Sequence, residues 1–212
     1  MEAPDLKNNW VSLAQKYSDD IRLIKNLIYG MEKQYTYANR HYHNLEHIQA
    51  MLNNVEAYQL ELEDADAVRF AVWFHDVIYQ PIRTDNEEKS ADFAVAALQQ
   101  LDLPLAKITQ VKALILRTKN HSEHLANESS DVQFFLDFDL TILGANWDKY
   151  QEYTEQIRLE YHMFPDFMYK AGRAKMLRKF LELPFIYRTS HFRSSLEKQA
   201  KENIQKELIL LS

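Results

Sequence analysis

Only three glycines and five prolines punctuate the 212 residues, where ordinary usage would supply roughly 15 and 11. A chain so poor in turn-formers cannot make the many tight reversals of an all-β fold, and it is committed to long helices. Apolar residues recur at spacings of three and four, as helices with one buried face require. Trp10, Leu13, Ala14 and Tyr17 make one stripe; Ile21, Ile24, Leu27, Ile28 and Met31 make the next. No segment alternates as a strand would. The expected fold is all-α: a single compact multi-helix domain over 1–212.

Local signals mark the further helices. Asn44 is placed to cap a helix running through Ile48, Met51, Leu52 and Val55. Asp64 opens an apolar segment, Ala67 to Tyr79, that stops at Gln80-Pro81, because the residue before proline disfavours helical geometry. Being apolar nearly all round, it is expected to be the central, buried helix. Asp85 or Asn86 caps the next, through Leu98, and Pro104 suits a first turn ahead of Ile108 to Ile115. Later helices are expected over Val132 to Leu143, Asn146 to Met163, Asp166 to Leu183 and Ser194 to Leu211. The last can pack on its own chain or on a partner, a homo-oligomer included.

Composition removes several classes of function. With no cysteine, disulfide scaffolds, thiolate metal sites and cysteine nucleophiles are excluded, so any metal is held by nitrogen and oxygen. The net charge of −6 and pI near 5.8 leave no global basic field for duplex nucleic acid. Between Asp166 and Lys198, however, eight basic residues face three acidic ones. That stretch reads either as a solvated helix face or as a rim attracting a small anion. No apolar run reaches the 18 or so residues of a membrane span, and the start, MEAPDLKNNW, lacks the regions of a signal peptide. The expectation is a soluble, cytoplasmic protein without membrane contact.

Two ionisable groups interrupt the apolar run Ala71-Val72-Trp73-Phe74-His75-Asp76-Val77-Ile78-Tyr79. Burying a carboxylate without a partner costs several kcal/mol, so Asp76 must meet a cation, a hydrogen-bond network or water. Upstream, in Arg40-His41-Tyr42-His43-Asn44-Leu45-Glu46-His47, His43 and His47 are four apart and share a helix face. Downstream, Asp137 and Asp139 lie in the apolar stretch Phe135 to Gly144. Imidazoles and carboxylates together suit one divalent ion among Mn, Mg, Co, Ni, Fe and Zn.

The order His, His-Asp, Asp resembles the HD-domain superfamily of metal-dependent phosphohydrolases, and more closely its stand-alone members of about this length. The stretches that carry the likeness are RHYHNLEHI, WFHDVIYQ, DNEEKSA, the His of LRTKNH, and FLDFDLTILG. The resemblance implies an HD-type helical domain whose motif-bearing core spans about 40–188, with helical flanks at 1–39 and 189–212, and with His47, His75, Asp76 and Asp139 as metal ligands. Asp137 competes for the last place. It implies hydrolysis of a small anionic phosphate ester or anhydride, a nucleotide among the options. Asp76 would polarise water; Glu87 would act as base or orient water; His121 or His43 would protonate the leaving oxygen. Arg40, Lys119 and Arg173, with His43 facing substrate, are the candidates to hold phosphate oxygens, because guanidinium and ammonium groups suit that anion. Asn86 stands where the family usually has a His, which argues against a second metal. His121 has the alternative of a surface His, and Gly172 beside Arg173 that of close helix packing. Two other classes stay open: a metal- or nucleotide-binding module without turnover, and an iron-dependent oxygenase.

Overall fold

The computed structural model describes residues 6–212. The first five residues, on which part of the reading of the chain's start rests, lie outside the described residues. Among the described residues every regular element is helical and none is a strand. No helix among them is long and apolar enough to cross a membrane. The chain divides into two compact units, the first ending at Lys119 and the second running from Asn120 to Ser212.

In the N-terminal unit, short polar side chains start the helices by accepting backbone N–H groups that have no partner within the helix. Asp20 accepts from Leu23 N at 2.9 Å to open α2 (Ile21–Tyr35), which follows α1 (Leu6–Ala14). Asn44 accepts from Glu46 N and His47 N to open α3 (Leu45–Ala57), and Asp64 accepts from Ala67 N to open α4 (Ala65–Phe74). Then come α5 (Asn86–Gln100) and α6 (Leu105–Arg117). The expected central helix is central: α4 packs against α3, α5 and α6. Its Ala67, Val68, Phe70, Ala71, Val72, Trp73 and Phe74 are all buried. Trp10 from α1 meets Phe70, Trp73 and Phe74 edge-on at 5.7–5.9 Å and donates its indole N–H to Ile24 O at 2.9 Å.

The sequence places a continuous helix as far as Tyr79, but α4 stops at Phe74 and His75 is its C-cap. The reason is tertiary. Side chains take the carbonyls that a continuing helix would have used. Tyr35 OH donates to Trp73 O at 3.0 Å, and Arg40 donates to Asp76 O and Val77 O. Ser90 from α5 closes the segment, accepting from Ile78 N and donating to Ile78 O, each at 3.1 Å. His75 and Asp76 therefore sit on a pinned turn at the end of the most buried helix.

The C-terminal unit holds α7 (Ser130–Asp139), a 3₁₀ turn (Thr141–Gly144), α8 (Trp147–Glu160), α9 (Asp166–Glu182) and α10 (Ser190–Leu211). Helix α10 begins four residues before the expected Ser194, because Thr189 Oγ1 accepts from Phe192 N and caps it. It packs on the 3₁₀ turn and α9 of its own unit. Polar side chains fix it there. Glu197 accepts from Ile186 N and Tyr187 N at 2.9–3.2 Å, and Asn203 donates to Leu143 O and Ala145 O, both at 2.8 Å.

Gly144 is required where the 3₁₀ turn meets α10. A Cβ there would stand 2.6 Å from Leu196 Cβ, 2.9 Å from Tyr187 OH and 3.0 Å from Leu196 O. Gly144→Ala is expected to cost about 1–3 kcal/mol through overpacking. Urea unfolding monitored by far-UV circular dichroism should show a lowered midpoint with an unchanged slope.

Candidate metal centre

His75 is 1% exposed, and its Nδ1 lies 2.9 Å from Val72 O. A carbonyl only accepts, so Nδ1 carries the proton and donates it. That leaves a lone pair on Nε2 in the neutral ring. Fixing one imidazole nitrogen on a carbonyl to present the other is the usual preparation of a metal-ligating histidine. His75 Nε2 faces Asp76 Oδ2 at 3.0 Å and His47 Nε2 at 3.3 Å. His75 Nε2 thus has an imidazole nitrogen and a carboxylate oxygen close to it inside the N-terminal unit. A lone pair opposite a carboxylate is repulsive unless a proton or a cation stands between them. This donor set fits a divalent ion.

His47 reaches this point from the first turn of α3. It is 6% exposed, and its ring lies 5.0 Å from that of Tyr42. His43, one turn earlier, stacks on Tyr79 at 4.2 Å between ring centroids and stands 6.1 Å from the His47 ring. The expectation that His43 and His47 share a helix face needs correction: α3 begins at Leu45, so His43 belongs to the preceding loop.

Around these ligands the structure gives other expected residues different surroundings. Arg40 spends its guanidinium on backbone carbonyls of His43, Asp76 and Val77, at 3.0, 2.6 and 3.0 Å. Asn86 holds the backbone of Gln80 from both sides, accepting from Gln80 N at 3.0 Å and donating to Gln80 O at 2.9 Å. Asn86 thereby secures the loop ahead of α5. Lys119 donates to Thr84 O at 2.9 Å and pairs with Glu88, which raises the Lys119 ammonium and lowers the Glu88 carboxyl. Glu87 lies half-buried in the first turn of α5.

In the C-terminal unit the two aspartates of FLDFDL part company. Asp137 is fully buried and accepts from Arg188 N at 2.7 Å and Thr189 N at 2.8 Å. Burial pushes its carboxyl up to about 6, the two amides offsetting only part of that cost. Both its oxygens tie down the chain entering α10. Asp139, the last residue of α7, is half-buried, with Oδ2 2.7 Å from His121 Nε2. His121 is therefore tied to the acidic stretch rather than lying loose on the surface.

Arg173, a candidate for holding phosphate oxygens, is buried among side chains of its own unit. It is 7% exposed and forks onto Glu207 of α10 at 2.8 and 3.1 Å. It also donates to Tyr153 OH at 3.1 Å, and Tyr150 OH donates to the same glutamate. The basic stretch that suggested an anion-attracting rim thus contains one cation whose charge is matched inside the protein. The signal that could have placed it is Glu207, an acidic residue in register with the apolar stripe of the last helix.

His47, His75 and Asp139 are together a donor set able in principle to hold one metal ion, two imidazole nitrogens and one carboxylate oxygen. Comparison of the chain with protein-family models, with curated proteins and with solved structures finds no match.

Proposed function

We propose that the chain is a metal-dependent phosphohydrolase of HD type, acting on a small phosphate ester or anhydride such as a nucleotide. In this reading His47, His75, Asp76 and Asp139 hold one divalent ion. The observation that carries the reading is the convergence of His75 Nε2 on His47 Nε2 and Asp76 Oδ2, with the His75 tautomer fixed by Val72 O.

A divalent ion held there would supply a Lewis acid for charge developing on a phosphoryl oxygen. The protein does the rest. Val72 O and the pinned turn keep the His75 ring from rotating, and Asp76 stands where it can accept a hydrogen bond from the attacking water. Glu87, half-buried at the start of α5, orients that water or takes its proton. His121, paired with Asp139, is the donor for the leaving oxygen, with His43 as the alternative. Lys119, already drawing on Glu88, presents an ammonium to the substrate's outer oxygens.

The test is elemental analysis of the purified protein, followed by a screen of nucleotides and other phosphate compounds with added Mn²⁺, Co²⁺ or Mg²⁺. Bound metal near one equivalent and phosphate release that disappears with a chelator are the expected results. No bound ion, together with no hydrolysis under any of the three metals, would overturn the proposal. A bound metal with no turnover on any phosphate would favour the non-catalytic module.

A further inference from the structure

Arg40 touches both ligand-bearing stretches of the N-terminal unit while belonging to neither helix. Its Nη1 donates to His43 O at 3.0 Å and to Asp76 O at 2.6 Å, and its Nη2 donates to Val77 O at 3.0 Å. The first carbonyl belongs to the loop that leads into α3 and His47. The other two belong to the turn that carries His75 and Asp76. Neither set is satisfied by a helix, since α4 has ended at Phe74 and α3 has not begun. The guanidinium itself lies 5.2 Å from the Tyr35 ring centroid and 5.3 Å from that of Tyr79. Tyr79 continues the column by stacking on His43, while Tyr35 binds Trp73 O through its hydroxyl.

We propose that Arg40 is a positioning residue that sets the spacing between His47 and the His75-Asp76 turn, so that metal affinity depends on a residue that does not touch the metal. This rests on the metal reading above. The physical argument is rigidity. The bonds of Tyr35 to Trp73 O and of Ser90 to Ile78 hold the turn within its own surroundings but do not reach the loop before α3. A planar fork bonded to three carbonyls and lying against two rings makes the two segments move together. Lysine cannot replace it, because an ammonium has no planar fork. A half-buried guanidinium bonded to carbonyls on two segments holds both of them, so the arrangement stands before any ion arrives.

The test compares full-length Arg40→Met and Arg40→Lys with the unaltered chain by amide hydrogen exchange, by titration calorimetry with Mn²⁺ and by thermal melting. Exchange is expected to rise together at 41–44 and 75–79, by about tenfold or more in Arg40→Met, and Mn²⁺ affinity to fall by about the same factor, as for other groups that orient metal ligands. Arg40→Lys should fall between, since it keeps the charge and loses the fork. Faster exchange in only one of the two segments, or unchanged Mn²⁺ affinity in a folded variant, would overturn the proposal. If Arg40→Met does not fold, the lysine variant is judged by the same two criteria. If the unaltered chain binds no ion, the metal reading falls while the exchange data still decide whether Arg40 couples the two segments.

Discussion

Replacing His75 by alanine is expected to strip the metal and to lower phosphate release by on the order of a thousandfold, about 4 kcal/mol in the barrier. The imidazole stands nearest the other ligand atoms, with His47 Nε2 at 3.3 Å and Asp76 Oδ2 at 3.0 Å. Its loss leaves the remaining donors around a gap. The fold suffers less. Val72 O loses its partner and a small cavity opens at the end of α4, a cost of roughly 1–3 kcal/mol. Elemental analysis and initial rates, set beside urea unfolding of the same preparation, separate the two effects. A variant that keeps a full equivalent of metal and its rate would remove His75 from the site.

Arg173→Met should be the most destabilising single change in the C-terminal unit. Arg173 and Glu207 are both buried and joined by two hydrogen bonds at 2.8 and 3.1 Å. Removing the arginine leaves an uncompensated carboxylate beside Tyr150, which typically costs about 3–5 kcal/mol. For a chain of this size that lowers the thermal midpoint by roughly 10 °C. Adding Glu207→Gln should recover part of the loss, because the pair together forgoes its desolvation cost. Calorimetric melts of the single and double variants check this. The same protein distinguishes the two roles considered for Arg173. With its guanidinium committed to Glu207 and Tyr153, KM measured well below the midpoint should change by no more than about twofold; a large rise in KM would mean that the arginine reaches substrate after all.

Helix identity was legible because it is a local property. The caps Asn44 and Asp64 and the three-and-four spacing of apolar residues act within a turn or two of themselves, and each does in the structure what its chemistry allows. What could not be seen were the places where distant side chains replace helical hydrogen bonds. Nothing in Phe74-His75-Asp76 announces that Tyr35, Arg40 and Ser90 will take its backbone groups, so the helix was expected to continue. The ligand types were readable from their misfit with apolar surroundings, and the resemblance supplied their order. The division of labour between Asp137 and Asp139 was not, because it depends on two backbone amides some fifty residues onward. Arg40 and Arg173 were weighed for their charge, whereas their surroundings assign them to backbone carbonyls and to a glutamate.

The partner of Arg173 lies 34 positions later in the chain. At ordinary synthesis rates of roughly 5–20 residues per second, a newly made arginine waits about 2–7 seconds for Glu207 to be joined. Until then its cation, Tyr150 and Tyr153 have no carboxylate to gather around, and the helices they occupy cannot close over one another without burying a lone charge. The second unit therefore carries a built-in delay on the ribosome: this buried cluster cannot be completed until Glu207 has been translated.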